Sequence, residues 1–220
     1  MDQPKSYEAF IFDLNGTMIN DMNYHIRAWH EILNRLGAGI SRERVKEECY
    51  GKNHELLERI FPGRFSLQEK DRMSYDKEKT YQKEFRPHLQ LINGLETFLK
   101  QIKTASHKIA IGSAAILFNI DFVVDGLQIR SLIDAIVSAD DVCRSKPHPE
   151  TFLKCAEILS LPPSSCLVFE DTPKGAEAAA NAGMDCIIIT TLHHPADFKD
   201  QTHIKAFIKD FTDERLARLL

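Results

Sequence analysis

The stretch Asp13-Leu14-Asn15-Gly16-Thr17 directly follows a short apolar run, Ala9-Phe10-Ile11-Phe12. A short continuous apolar run that ends at turn residues predicts a buried β-strand. The carboxylate of Asp13 therefore falls where the strand stops. Open α/β sheets keep their ligands and reactive groups at that edge, so the stretch predicts a sheet strand that presents Asp13 to a functional site.

Similar apolar runs recur along the chain, with helical patterns between most of them. The further strands are predicted at residues 109–112, 135–137, 166–169, 186–189 and 206–208. Helices are predicted at about residues 93–104, 149–160, 173–182 and 212–220, with Gly183 as the residue that ends the third of these. This alternation predicts an α/β fold whose core is a Rossmann-like parallel sheet flanked by helices.

Residues 20–88 interrupt the alternation, because they contain several amphipathic patterns and no convincing strand. Apolar side chains recur at helical spacing from Tyr24 to Leu36 and again at Leu56, Leu57 and Ile60, and a charged helix is predicted over residues 69–85. The sequence thus predicts an inserted helical cap domain at 20–88 and a core domain formed by residues 1–19 and 89–220.

Composition excludes several classes of protein. The 220 residues carry a net charge of −4, which gives no basic excess for nucleic acid. The five cysteines form no C-x-x-C pair, which argues against a zinc site or a disulfide framework. The N-terminus has no apolar signal region, and no apolar run is long enough for a membrane span. We expect a cytoplasmic protein without a nucleic-acid or membrane partner; the oligomeric state is open, with a monomer as the expectation.

Charged and hydroxyl groups follow the predicted strands in a pattern that suits phosphate chemistry. Asp13, Ser113, Glu170 and Asp171 come at strand ends and should meet at one sheet edge, while Lys146 lies in a loop before a helix. Asp13 can act as a nucleophile, and Mg²⁺ prefers carboxylate oxygens such as those of Asp13, Glu170 and Asp171. Lys146 and the Ser113 hydroxyl would bind the transferred group. The expected substrate is a small phosphorylated metabolite, with Mg²⁺ as cofactor.

These elements resemble the haloacid dehalogenase superfamily, whose members show D-x-D-G-T/V, a Ser or Thr after the second strand, a Lys and a late acidic pair. The likeness is greatest to the β-phosphoglucomutase branch, through residues 24–29, 145–147 and 170–175. It implies a Rossmann-like core with a helical cap after the first strand. It also implies a main-chain carbonyl of Asn15 among the metal ligands, and substrate contacts from His25, Lys77, His54, Ser113 and Ala114.

Asn15 departs from the family pattern, because it stands where an Asp would serve as general acid and base. General acid and base catalysis typically increases the rate by about 10²- to 10⁴-fold, and an amide cannot transfer the proton. A second departure is that Ala115, Ile116 and His54 occupy positions that in the mutase hold a second phosphate with Ser, Lys and Arg.

Several functions therefore remain open. The first is a phosphohydrolase with an Asp13 phosphoenzyme, restricted to substrates with good leaving groups. The second is a non-catalytic module that binds a phosphometabolite. A metal-independent dehalogenase is less favoured, because Glu170 and Asp171 would then lack a cation. A β-phosphoglucomutase-like phosphomutase is the alternative if Asn15 is an engineered substitution. Asn-Gly is also the dipeptide most prone to deamidation, which would regenerate an acid at position 15.

Overall fold

The computed structural model describes residues 6–198 and 202–220. Residues 1–5, on which part of the signal-peptide prediction rests, lie outside this range. Within it the chain forms two compact units. One unit runs to Asn20 and resumes at Gln90, and the other spans Asp21–Leu89. We call them the core unit and the helical unit.

The core unit contains a parallel sheet with helices between its strands. Its strands are β1 (Ala9–Phe12), β2 (Lys108–Gly112), β3 (Ala135–Val137), β4 (Cys166–Glu170), β5 (Asp185–Ile189) and β6 (Ile204–Ile208). The helical unit contains α1 (Met22–Arg35), α2 (Arg42–Glu48), α3 (Asn53–Ile60) and α4 (Leu67–Phe85), and the core unit contains α5 (Leu95–Thr104), α6 (Leu117–Gly126), α7 (Glu150–Leu159) and α8 (Pro173–Asn181).

The sheet order is β3-β2-β1-β4-β5-β6, and every neighbouring pair is parallel. The chain first adds strands on one side of β1 and then, from β4 onwards, on the other side. The order therefore reverses between β1 and β4, and ligands of open α/β sheets bind beyond the carboxyl ends of the strands at such a point. The α/β fold expected from the sequence is confirmed.

Both faces of β1 are covered, which explains its unbroken apolar sequence. Ala9 and Ile11 belong to a buried cluster with Val168. Phe10 and Phe12 point to the opposite face, where the Phe12 ring stacks on Phe169 with centroids 4.7 Å apart. This packing holds the end of β1, and hence Asp13, on a rigid element.

The structure differs from the sequence prediction in the C-terminal segment and in helix α6. The C-terminal segment forms a 3-10 helix, Glu214–Leu219, instead of an α-helix, because Arg215 donates hydrogen bonds to Asp213 and to the carbonyl of Phe207 and so fixes a tighter turn. Helix α6 was not predicted. By contrast, Gly183 follows the end of α8 with a φ of +73°, as the sequence indicated.

The helical unit has its own apolar core, formed by side chains such as Trp29, Leu33 and Leu57. Within the described residues, no helix is both long enough and apolar enough to cross a bilayer.

Candidate active site

The carboxyl ends of β1 and β4 bring Asp13 and Glu170 side by side. Phe12 pairs with Phe169 in the parallel ladder, and the Asp13 N–H donates to the Phe169 carbonyl at 2.9 Å. Both carboxylates are buried, Asp13 being 7% exposed and Glu170 1%. Two carboxylates without water would repel each other strongly, so this pair requires a cation.

Lys146 supplies one positive charge to the pair. Its Nζ lies 2.6 Å from Asp13 Oδ1 and 2.7 Å from Glu170 Oε1, and it also donates to the Gly112 carbonyl at 3.0 Å. Burial acts to lower the pKa of Lys146, but the carboxylates of Asp13 and Glu170 raise that pKa by more, and the ammonium stays charged. The lysine is therefore a fixed cation at the end of β1.

Glu170 has protein partners at both of its carboxylate oxygens. While Oε1 accepts from Lys146, Oε2 accepts the N–H groups of Asp171 and Thr172 and the Thr172 hydroxyl. A Cβ on Gly175 would lie 1.9 Å from the Glu170 Oε1 atom, so only glycine fits there. Glu170 thus joins the lysine to the residues that precede α8, including its N-cap Thr172.

Asp171 differs from Glu170 because one of its oxygens has no protein partner. Thr17 donates its hydroxyl to Asp171 Oδ1 at 3.3 Å, whereas the buried Oδ2 accepts no hydrogen bond from the described residues. Burial, together with repulsion from Glu170 and Asp13, raises the pKa of Asp171 well above its usual range. An unpartnered buried carboxylate oxygen of this kind is a natural ligand for a metal ion.

The charge of the cluster also fits a cation. The carboxyl groups of Asp13, Glu170 and Asp171 face a single ammonium, which cannot balance three negative charges, and the raised pKa of Asp171 reflects this lack of positive charge. Within the described residues no group of three or more His, Cys, Asp or Glu side chains has metal-holding geometry. Mg²⁺ does not need one, since one or two carboxylates with water, carbonyl and phosphate oxygens satisfy it.

Ser113 and Ala114 follow the end of β2, next to the Gly112 carbonyl that Lys146 contacts. Ser113 is 1% exposed, and its hydroxyl oxygen accepts the N–H of Ala115 at 3.1 Å. Ala114 is half-buried. This arrangement leaves the Ser113 hydroxyl proton free to be donated to an anion.

Asn15 sits in a tight turn that is fixed by the backbone. It is half-buried and forms an isolated bridge with Ile19, and the Gly16 N–H donates to the Ile19 carbonyl at 2.8 Å. A Cβ on Gly16 would lie 2.1 Å from Asp171 Oδ2. The turn therefore brings its backbone directly against the unpartnered carboxylate oxygen.

His25, His54 and Lys77 lie in the helical unit, and each has partners there. Lys77 is 1% exposed, and its Nζ lies 2.5 Å from His25 Nδ1 and 2.8 Å from Glu78 Oε1. His54 Nε2 lies 2.9 Å from Asp71 Oδ1. The substrate contacts expected of these three side chains stay predictions.

Two hydroxyl groups at the site, those of Thr17 and Thr191, have no role that the sequence predicted. Thr17 holds Asp171, and Thr191 donates its hydroxyl to the Gly16 carbonyl at 2.6 Å. Thr191 is the second residue after β5, a parallel strand of the same sheet. The strand-end rule that selected Asp13 and Ser113 is the signal that points to it.

Comparison with known proteins finds relatives that are similar in sequence and in fold. Residues 10–189 match the sequence model of a family described as haloacid dehalogenase-like hydrolase. The chain is 28% identical to the fructose-1-phosphate phosphatase of Escherichia coli, covering 84% of this chain and 98% of that protein. It is 30% identical to the β-phosphoglucomutase of Bacillus subtilis, with 80% of each covered.

A crystal structure of a haloacid dehalogenase hydrolase of family IA, variant 3, from Entamoeba histolytica has a similar fold. The TM-score is 0.85 at 25% identity, with 96% of this chain and 98% of that chain covered.

Proposed function

The chain belongs to the haloacid dehalogenase-like hydrolase family, and on that basis we propose that it is a Mg²⁺-dependent phosphohydrolase of a small phosphorylated metabolite that acts through a phosphoenzyme on Asp13. Its activity class is that of a phosphatase-type hydrolase, as the names of its relatives indicate. One observation carries the proposal: Lys146 holds Asp13 at the sheet edge beside Asp171, whose Oδ2 atom is buried without a partner.

Asp13 is the nucleophile in this proposal. A carboxylate oxygen forms a bond to phosphorus while the bond from phosphorus to the leaving oxygen breaks, which gives an aspartyl phosphate. Water then attacks this phosphorus, the bond between phosphorus and the Asp13 oxygen breaks, and phosphate leaves with the protons of the water while the carboxylate is restored. Lys146 keeps Asp13 in place before the reaction and lies close enough to offset charge on the transferred group.

Asp13, Asp171 and the main-chain carbonyl of Asn15 would hold the Mg²⁺ ion. When bound, the ion supplies a positive charge that reduces repulsion between the carboxylate and an anionic substrate and polarises the phosphoryl group. Glu170 was predicted as a further ligand. Because protein donors occupy both of its oxygens, we infer that it instead positions Lys146 and the backbone of Asp171.

Ser113 and the backbone at Ala114 would bind the oxygens of the phosphoryl group. The Ser113 hydroxyl accepts one backbone N–H and so can direct its own proton to a phosphoryl oxygen. Donors arranged in advance around the developing charge stabilise the transition state.

The residues after Ser113 favour a monophosphate over a bisphosphate. Ala115 and Ile116 bring no positive charge, and at the start of α6 the Asp140 carboxylate accepts the N–H of Leu117 at 2.9 Å. A second phosphate close to this helix end would meet a carboxylate. This arrangement supports a phosphatase more than a phosphomutase, and relatives of the chain include phosphatases named for fructose 1-phosphate and for hexitol phosphates.

Asn15 restricts which phosphorylated substrates react. Since its amide cannot protonate a leaving oxygen, the reaction depends on leaving groups that are stable as anions. We therefore expect acyl phosphates, pyrophosphates and aryl phosphates to react faster than sugar esters. Asn15 also favours the second candidate function, a module that binds a phosphometabolite without turnover.

Phosphate release across these substrate classes tests the proposal. In Mg²⁺, the chain should release phosphate from acyl and aryl phosphates, and Asp13→Ala should abolish the release. Asn15→Asp should raise the rate on sugar phosphates by about 10²- to 10⁴-fold. If neither the chain nor Asn15→Asp releases phosphate but both bind a sugar phosphate, the binding module is the correct function.

A further inference from the structure

Thr191 joins the loop after β5 to the turn that contains Asn15 and Gly16. Its hydroxyl donates to the Gly16 carbonyl at 2.6 Å, although the two residues are 175 positions apart in the chain. The neighbouring hydroxyl of Thr190 serves a different purpose, because it donates to the Ile208 carbonyl in β6 at 3.2 Å. The two adjacent threonines therefore support different parts of the core unit.

The Gly16 carbonyl belongs to a backbone segment with little freedom. Gly16 is buried and has a φ of +82°, and its N–H donates to the Ile19 carbonyl at 2.8 Å. In the planar trans peptide between Asn15 and Gly16, the Asn15 carbonyl points opposite to that N–H. Ile19 thus fixes the peptide before Gly16, and Thr191 fixes the peptide after it.

Two oxygens that would bind the cation depend on this turn. One is the main-chain carbonyl of Asn15, whose direction follows from the Gly16 peptide. The other is Oδ2 of Asp171, which is unpartnered and packs so closely on Gly16 that a Cβ there would be 2.1 Å away. Thr17, the next residue of the turn, also donates to Asp171 Oδ1. A shift of Gly16 would therefore act on both oxygens, on the Asn15 carbonyl through the adjoining peptide and on Asp171 Oδ2 through the close packing.

We propose that Thr191 is a positioning residue for the cation site, in which its hydroxyl holds the Gly16 carbonyl so that the Asn15 carbonyl and Asp171 Oδ2 stay directed at one point. The proposal rests on the metal site of the proposed function. Partners that orient metal ligands without touching the metal typically change metal affinity by about 10- to 100-fold when they are lost. Thr191 is expected to fall in that class.

Metal binding to the full chain, measured without substrate, tests the proposal. Mn²⁺ shares the octahedral oxygen coordination of Mg²⁺, and the EPR signal of the free ion decreases as it binds. Thr191→Val keeps the shape of the side chain and removes the donor, and it should raise the Mn²⁺ dissociation constant by about tenfold or more. Thr191→Ser keeps the donor, and its Mn²⁺ dissociation constant should stay within about twofold of that of the unchanged chain. That change is much smaller than the loss expected when an orienting partner is removed.

Thr190→Val is the matched control, because it removes an equivalent hydroxyl from the adjacent position. It should leave Mn²⁺ binding unchanged. Thr191→Ala is the second variant without a donor, and melting of each metal-free protein shows that the variants are folded. The proposal is overturned if Thr191→Val and Thr191→Ala bind Mn²⁺ as the unchanged chain does, or if Thr190→Val weakens binding equally. If the unchanged chain binds neither Mn²⁺ nor Mg²⁺, the metal site of the proposed function fails as well.

Discussion

Lys146 Nζ lies 2.6 Å from Asp13 Oδ1, and the two residues are 133 positions apart in the chain. Both side chains are buried, and Glu170 accepts from the same ammonium at 2.7 Å. A buried ion pair contributes little net stability compared with an apolar core, but the loss of one partner leaves the other charge uncompensated. The lysine is thus expected to stabilise the fold of the site in addition to its role in the proposed reaction.

Replacing Lys146 by Met should reduce the free energy of unfolding by about 3–5 kcal/mol, because two carboxylates would remain buried without their cation. Urea unfolding at pH 7 in EDTA measures this loss. The same experiment in Mg²⁺ should show a smaller loss, since a bound divalent ion compensates part of the charge.

Lys154→Met is the control for Lys146→Met. Lys154 is only half-buried on α7 and donates to the Asp141 carbonyl. Its replacement should change the free energy of unfolding by no more than about 0.5 kcal/mol. Similar decreases in the free energy of unfolding for the two variants would show that Lys146 does not stabilise the buried carboxylates.

Gly16→Ala should disrupt the site through two effects. An alanine at a φ of +82° is strained, at a cost of about 1–3 kcal/mol, and its Cβ would overlap Asp171 Oδ2. Gly183→Ala separates these effects, because Gly183 has a φ of +73° but a Cβ added there would meet no atom within 4 Å.

We expect both glycine variants to lose stability in urea unfolding, and only Gly16→Ala to lose Mn²⁺ binding. Loss of Mn²⁺ binding in Gly183→Ala would mean that strain anywhere in the core unit disturbs the site. Retention of binding by Gly16→Ala would show that the close contact with Asp171 is not required.

Lys77→Met should loosen the helical unit. Lys77 is 1% exposed and donates to His25 Nδ1 and Glu78 Oε1, and its Nζ lies 5.5 Å from the Trp29 ring centroid. Because an ammonium can only donate, His25 must accept at Nδ1, which leaves its Nε2–H for Asp21 at 3.1 Å. Removing the ammonium therefore breaks a buried polar network, at a cost of about 1–3 kcal/mol.

Hydrogen exchange over residues 21–89 measures this effect, which should appear as faster exchange in α1 and α4. Lys79→Met is the matched control on the same helix, since Lys79 is exposed. Equal exchange in the two variants would show that the Lys77 network does not stabilise the helical unit.

The sheet was predictable from the sequence because its central strands β1, β4 and β5 are buried along their whole length, and such strands have nearly continuous apolar sequences. Helix α6 was not, because its apolar residues are not confined to one stripe and give no clear helical period. The strand-end rule found Asp13, Ser113 and the pair Glu170 and Asp171.

Other features of the site depend on contacts that spacing does not encode. Thr17 donates to one oxygen of Asp171, and the other oxygen has no partner among the described residues. Both oxygens of Glu170 have partners, which include the backbone N–H of Asp171. The role of Thr191 depends on a contact across most of the chain. The strand-end rule places Thr191 near the sheet edge, but these contacts could not be predicted from a local pattern of residue types.

Asn15 should resist deamidation in the folded protein, although its sequence favours that reaction. The reaction requires the backbone nitrogen of Gly16 to attack the Asn15 side chain. That N–H donates to the Ile19 carbonyl at 2.8 Å, and Gly16 is packed against Asp171, so the segment cannot readily rearrange to form the cyclic intermediate. Unfolding removes both restraints. Peptide mapping by mass spectrometry should therefore show Asn15 intact after ageing in native buffer and deamidated after the same time in urea. Deamidation at equal rates in the two samples would contradict this restraint, and conversion in the native sample would identify a route by which an acid is restored at position 15.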